Sequence, residues 1–246
     1  MTALFWVIKV LTTGMGETTS DYLVHQLVPE VAVVLGGLGF VVAMVLQLRT
    51  RGYVAGIYWL AVVMVSIFGT MVADVMHIVV GIPYVVSTIF FSVALVVVFA
   101  VWYAVEGTLS IHSIHTRRRE LFYWATVLTT FALGTAAGDM TATTLGLGWF
   151  AAGVLFAVVI SIPAVGYLRF GMDAIVAFWF AYIFTRPLGA SFADWFALPP
   201  SRGGLGFGTG PVSIALALAI AALVGYLAVT RRDVDDEAAA PLPLTP

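Results

Sequence analysis

Eight apolar stretches, each long enough to form a membrane-spanning helix, follow one another along this chain of 246 residues. An apolar helix of about 20 residues crosses a hydrocarbon core of about 30 Å. The stretches lie near residues 3–23, 29–48, 54–78, 82–105, 122–143, 148–168, 174–196 and 211–230. Because a helix satisfies its own backbone hydrogen bonds in lipid, the pattern predicts an all-α, polytopic membrane protein with eight transmembrane helices in one domain, residues 1–230.

The composition excludes soluble classes of protein. Hydrophobic residues make up 61% of the chain, charged residues 10%, and the mean hydropathy is +1.05. A soluble domain carries about a quarter charged residues. The net charge of -2 leaves no basic face for nucleic acid, and the absence of cysteine removes thiolate metal ligands and thiol catalysis.

Four of the seven tryptophans begin the same ungapped pattern, in which a glycine follows after ten residues and an aspartate after fifteen. The four copies are Trp6-Gly16-Asp21, Trp59-Gly69-Asp74, Trp124-Gly134-Asp139 and Trp179-Gly189-Asp194. Each copy opens an odd-numbered stretch, so two-helix repeats cover about residues 1–50, 51–116, 117–170 and 171–230. Two crossings return the chain to its starting side, so we expect four parallel repeats in a pseudo-fourfold arrangement about the membrane normal.

The arginines indicate the orientation in the membrane. Eight of them follow even-numbered stretches, near residues 49–51, 117–119, 169 and 231–232, whereas Arg202 lies on the opposite side. The positive-inside rule predicts that both termini are cytoplasmic in a bacterial inner membrane. Residues 231–246 are acidic at first and then proline-rich, which is typical of a disordered tail.

Polar side chains recur in register inside the predicted helices. Ionisable groups cost about 2.5 to 3.5 kcal/mol each in hydrocarbon, so they normally face a partner, a cavity or an ion path. Four residues before the repeat aspartates, on the same helix face, stand Glu17, Thr70, Thr135 and Ala190. If the odd helices share an axis, the aspartates form a ring, and His77, three residues after Asp74, is a further ligand or proton partner. The predicted metal-site residues are Asp21, Asp74, Asp139, Asp194, Glu17, Thr70, Thr135 and His77.

This set of oxygen ligands favours the transport of a small cation. Hard ions such as Mg²⁺, Ca²⁺ and Mn²⁺ prefer oxygen ligands, and acidic rings select cations in channels. Five carboxylates against Lys9 and Arg186 leave a negative charge that requires a cation or protons. We therefore expect a transporter or channel for a small cation, with a divalent metal preferred to an alkali ion and exchange for protons as one option. The sequence indicates no certain cofactor, and the divalent metal is considered as the substrate. An organic cation is another possible substrate.

A different class of protein is also compatible with the sequence. A non-transporting assembly or sensory protein would use the same polar residues only to pack helices. An enzyme is disfavoured, because the chain lacks known catalytic motifs and pairs no intramembrane nucleophile with a base. Tryptophans at equal depth also fit an aromatic belt, and glycines fit close helix contacts.

Individual charged residues have their own expected environments. Lys9 is expected to extend its amine to the cytoplasmic interface, and Arg186 to form an ion pair with Asp194, Glu17 or Asp21. His112 and His115 lie in the longest cytoplasmic connection with Glu106 and Glu120. A metal site is possible there, although a solvated interfacial helix is the preferred interpretation.

Three further strings are specific: KVLTTGMGE at 9–17, SIHSI at 110–114 leading into RRELFYW at 118–124, and TRPLGAS at 185–191. With these strings and the four tryptophan frames, residues 1 to about 230 resemble a family of uncharacterised bacterial membrane proteins. That family is defined by four tandem repeats, each with two transmembrane segments and a signature tryptophan. The resemblance implies the eight-helix architecture and no particular substrate.

Overall fold

A computed structural model describes residues 2–50 and 52–230 of the chain, and the predicted tail at 231–246 lies outside these ranges. The described ranges contain eight long α-helices and no strand, which confirms the all-α class. The helices are α1 (Ala3–Gln26), α2 (Pro29–Arg49), α3 (Ala55–Asp74), α4 (Tyr84–Glu106), α5 (Arg117–Asp139), α6 (Trp149–Phe170), α7 (Ala174–Ala197) and α8 (Thr209–Thr230). Two π-helical turns, Val75–Val79 and Met140–Thr144, extend α3 and α5 directly after a repeat aspartate.

Seven of the described helices, α2 to α8, are long and apolar enough to cross a membrane, which indicates a multi-pass membrane protein. Helix α1 has 24 residues but carries Lys9, Glu17 and Asp21, which lower its hydropathy. Its crossing, the eighth, stays a prediction from the sequence.

The odd-numbered helices form the interior of the molecule. Helix α1 packs against α3 and α7, and α5 packs against the same two helices. Each even-numbered helix packs extensively on the odd helix that follows it: α2 on α3, α4 on α5, and α6 on α7. Helix α8 packs on α1, so the first and last repeats are neighbours. The four odd helices are therefore a closed ring surrounded by the four even helices.

The even helices present apolar side chains outward. Val96 on α4 is 65% exposed, Leu218 on α8 is 67% exposed, and Leu168 on α6 is 74% exposed. Many large apolar side chains are exposed in this way on the even helices, which is unfavourable in water and suits contact with lipid tails.

The repeat glycines set the spacing between neighbouring odd helices. A Cβ added to each would lie within 3 Å of a side-chain atom on the next odd helix around the ring. The pairs and distances are Gly16 to Ser66, 1.8 Å; Gly69 to Phe131, 2.8 Å; Gly134 to Arg186, 2.2 Å; and Gly189 to Thr13, 1.9 Å. Each contacted residue lies seven positions after its own repeat tryptophan. The interpretation of the glycines as close helix contacts is confirmed.

The repeat tryptophans pack together at one end of this ring. In every repeat the aromatic residue before the tryptophan contacts the tryptophan of the next repeat. The ring-centroid distances are Phe5 to Trp59, 5.5 Å; Tyr58 to Trp124, 5.8 Å; Tyr123 to Trp179, 6.2 Å; and Phe178 to Trp6, 5.6 Å. Trp59, Trp124 and Trp179 are buried. The aromatic-belt interpretation is wrong for these three, because their rings contact other helices.

Candidate cation site

Three acidic side chains from three different repeats converge inside the ring of odd helices. They are Glu17 on α1, Asp139 on α5 and Asp194 on α7, and one carboxylate oxygen of each lies within 4.8 Å of the other two. All three are buried, with exposed fractions of 4%, 7% and 3% respectively. We call this group the carboxylate triad. Three carboxylates so close together and away from water require cations, protons or basic partners.

Arg186 is the basic partner of one triad member. Its Nη2 shares its two hydrogens among three acceptors: Oε2 of Glu17, the hydroxyl of Thr70, and the hydroxyl of Thr135 at 2.7 Å. Its Nη1 donates to the carbonyl oxygen of Thr13 at 2.9 Å. The side chain is 1% exposed. The predicted ion pair of Arg186 is confirmed, and its partner is Glu17.

The three side chains that meet Nη2 occupy one repeat position. Glu17, Thr70 and Thr135 each lie eleven residues after a repeat tryptophan, and the fourth repeat has Ala190 there. Arg186 stands one helical turn earlier on α7. Because Ala190 has no polar side chain, the fourth repeat contributes the Arg186 guanidinium, where the other three repeats contribute an oxygen. The two threonines therefore bind the guanidinium together with Glu17.

Some buried polar atoms of this region have no hydrogen-bond partner within the described ranges. They include Oδ1 of Asp194 and the hydroxyl of Ser191, three residues earlier on α7. The Ser191 hydroxyl oxygen lies 3.9 Å from the position that a Cβ on Gly138 would take, so it faces α5 near Asp139. Leaving a buried polar atom unpaired is costly, so both oxygens have capacity for a ligand.

The other two repeat aspartates lie outside the triad. Asp21 and Asp74 are half-buried. Both lie close enough to Glu17 for their charges to interact. Of the predicted site residues, the structure thus brings Glu17, Asp139 and Asp194 together, with Asp21 and Asp74 nearby.

His77 is connected to the triad through Tyr84. The imidazole Nδ1 lies 2.8 Å from the carbonyl oxygen of Ile82, and the imidazole stacks on the Tyr84 ring with centroids 3.5 Å apart. The Tyr84 side chain interacts with the carboxylate of Asp139. Sequence reasoning missed Tyr84, because it begins an even helix and lies outside the repeat pattern.

Lys9 is buried on the tryptophan side of Arg186. Its Nζ lies 3.8 Å from the ring centroid of Phe131 and 4.1 Å from that of Tyr182. The residue is 1% exposed, and its amine has no hydrogen-bond partner in the part of the chain that the structure describes. The prediction that Lys9 extends to the interface is wrong. Aromatic faces from α5 and α7 surround the ammonium and attract it electrostatically.

The longest connection forms a separate set of ion pairs. Glu106 pairs with Arg118 and with Arg119, the latter at 2.7 Å, and Glu120 accepts a hydrogen bond from Gln47 at 3.0 Å. Both acidic side chains are thereby engaged, and the two histidines of this connection are exposed. The connection contains a single short 3₁₀ turn within its described residues, so a solvated helix is not what forms there.

A family model of a tandem repeat matches this chain four times, at residues 4–53, 57–108, 122–172 and 177–233. Each match covers one pair of helices, in agreement with the two-helix repeats predicted from the tryptophan frames. No curated protein and no solved structure matches the chain. Because the four matches together cover most of its length, the chain belongs to the family described as Repeat of Unknown Function (DUF347).

Proposed function

We propose that this protein binds a small cation at the carboxylate triad and carries it across the bilayer. The observation that supports this most directly is the convergence of three carboxylates, from three repeats, within 4.8 Å in the buried interior. Arg186 offsets one of the three charges. The remaining charge of -2 corresponds to one divalent ion, and carboxylate and hydroxyl oxygens suit Mg²⁺, Ca²⁺ or Mn²⁺.

The free ligand capacity of the site also supports cation binding. Oδ1 of Asp194 and the hydroxyl of Ser191 are buried and without a partner among the described residues. Both lie on the α7 side of the triad. A cation between Asp139 and Asp194 would satisfy both oxygens.

The proposed arrangement of the repeats is parallel and pseudo-fourfold. The glycine contacts and the aromatic contacts run in one order, from each repeat to the next and from the fourth to the first. With both termini cytoplasmic in a bacterial inner membrane, as the arginines predict, the triad lies in the outer half of the bilayer.

A carrier fits the interior better than an open channel. Lys9, Phe131 and Tyr182 fill the space between the tryptophans and Arg186, and each is at most 1% exposed. A cation would pass this level only after the helices rearrange. The regular helical hydrogen-bond ladder is interrupted near the site by the π-helical turns that follow α3 and α5 and by Pro187 inside α7. Such interruptions let helices bend, as this rearrangement requires. We assign no catalytic activity to these residues.

Manganese uptake into proteoliposomes and metal-dependent thermal stabilisation test this proposal. The wild type should take up Mn²⁺ saturably and melt at a higher temperature with the metal, since a ligand at 100 times its Kd stabilises by about 2.7 kcal/mol. Asp139→Asn and Asp194→Asn should lose both effects. Glu30→Gln, which neutralises an exposed carboxylate at the start of α2, should retain both.

Two results would contradict the proposal. Absence of uptake and of stabilisation in the wild type, across divalent, monovalent and organic cations, would favour the assembly or sensory class. Full stabilisation in both asparagine variants would show that the cation binds elsewhere.

A further inference from the structure

We propose that Arg186 is a tethered cation, a charge of the protein itself that holds Glu17 when no cargo is bound and competes with the cargo for it. This inference rests on the proposed function and concerns the same site. It assigns to Arg186 the control of cation affinity, in addition to helix packing.

The contacts of the guanidinium resemble the coordination of a bound ion. One nitrogen, Nη2, meets the side-chain oxygens that the other three repeats contribute at one level: Glu17, Thr70 and Thr135. Neutralising Glu17 would require only one of these contacts. Arg186 thus contacts one oxygen from each of the other three repeats, which places its guanidinium where a bound cation would lie at the centre of the ring.

Glu17 is the residue that the arginine and the cargo share. It binds Arg186, and its carboxylate also lies within 4.8 Å of Asp139 and Asp194. A metal ion that takes all three carboxylates would stand directly beside the guanidinium among buried side chains, where like charges repel strongly. A cargo ion that takes all three carboxylates therefore competes with Arg186 for Glu17.

The surroundings of Arg186 allow it to leave Glu17. Its Nε has no hydrogen-bond partner within the described ranges, so the side chain is not fully satisfied in its present position. The next residue, Pro187, lies inside α7 and has no amide hydrogen for the helical ladder. The backbone that carries the arginine is thus less constrained there than in a regular helix.

Cation affinity in three variants tests this competition, with Mn²⁺ as the probe in thermal-shift and calorimetric titrations of the purified full-length protein. Arg186→Gln should bind Mn²⁺ at least about tenfold more tightly, because the competitor is gone. Glu17→Gln should lose binding, since the released guanidinium pairs with the two remaining carboxylates. The double variant should regain affinity to within about tenfold of the wild type. Arg169→Gln, which removes an exposed arginine at the end of α6, is the matched control and should bind like the wild type.

A purely structural arginine gives the opposite pattern. Arg186→Gln would then bind more weakly, and the double variant would bind no better than Glu17→Gln. If Arg186→Gln fails to fold, the comparison of Glu17→Gln with the double variant decides, because the double variant removes both halves of the buried pair. Wild-type protein that binds no cation would overturn the proposed function as well, whereas wild-type binding with no gain in the double variant would overturn the tethered cation alone.

Discussion

The ammonium group of Lys9 is held by aromatic faces in the interior of the molecule. Burial deprives it of hydration, and cation–π contacts with Phe131 and Tyr182 return about 0.5 to 2 kcal/mol each. Arg186 also lies near the Phe131 ring, with Cζ 5.6 Å from its centroid. The ammonium is thus close to a second buried cation, which adds repulsion to the loss of water.

Replacing this ammonium by an apolar group of similar shape should stabilise the fold. We expect Lys9→Met to raise the free energy of unfolding by about 1 to 3 kcal/mol, the usual cost of burying a polar group without a hydrogen bond. The measurement is thermal unfolding in detergent without metal. Lys9→Gln keeps a polar head group, so its free energy of unfolding should rise by less than that of Lys9→Met. A lower melting temperature for Lys9→Met would mean that the ammonium is stabilising where it lies.

The environments of the two buried basic residues, Arg186 and Lys9, were not equally predictable from the sequence. The ion pair of Arg186 could be predicted, because a guanidinium deep in a helix has no short path to water. The burial of Lys9 could not be predicted, since its place near the start of α1 favours extension of the amine to the interface. Its direction depends on Phe131 and Tyr182, which come from other repeats. The choice of Glu17 as partner likewise depends on Thr70 and Thr135 meeting at the same point.

At the level of the helices, the repeat glycines determine how close the inner ring can pack. A methyl group on Gly16 would lie 1.8 Å from Oγ of Ser66 and 2.5 Å from its Cβ. The Ser66 hydroxyl is fixed by a hydrogen bond of 2.9 Å to the carbonyl oxygen of Thr12. The side chain of Ser66 therefore cannot move aside without breaking an interhelical contact.

We expect Gly16→Ala to destabilise the protein by about 1 to 3 kcal/mol, which is the usual cost of overpacking. Gly225→Ala on α8 is the matched control, because a Cβ there meets no atom within 4 Å. That change should be neutral or stabilising by up to about 1 kcal/mol through helix propensity. Thermal unfolding of both variants measures the difference. Equal stability of the two variants would contradict the tight contact between α1 and α3.

The sequence could predict which helices line the interior, because only the odd stretches carry the repeat frame and the polar positions. It could not predict the π-helical turns after Asp74 and Asp139, since they replace regular turns without a glycine or a proline at that point. Nor could it predict that each even helix packs on the odd helix of the next repeat. Hydropathy gives no information about which apolar faces pair.

At the scale of the whole molecule, this packing order brings the last helix, α8, back to the first. Helix α8 has no following repeat, and it packs on α1. The hydroxyl of Ser213 on α8 donates a hydrogen bond of 2.8 Å to the hydroxyl of Thr18 on α1. The contact joins residues that are 195 positions apart in the chain, and Thr18 directly follows Glu17 of the triad. Closure of the ring and the position of the triad are therefore linked.

A disulfide between these two positions should form if the ring is closed in the membrane. Two side-chain oxygens in contact bring their Cβ atoms close to the separation of about 3.5 to 4.5 Å that a disulfide spans, and the chain has no cysteine to interfere. In Thr18→Cys/Ser213→Cys, with a protease site inserted between α4 and α5, mild oxidation should keep the two halves joined on a non-reducing gel. Thr18→Cys/Ser161→Cys, with its second cysteine on the exposed side of α6, should separate after cleavage. Separation of both pairs would contradict the closed ring, because no open arrangement of four successive repeats brings α8 onto α1.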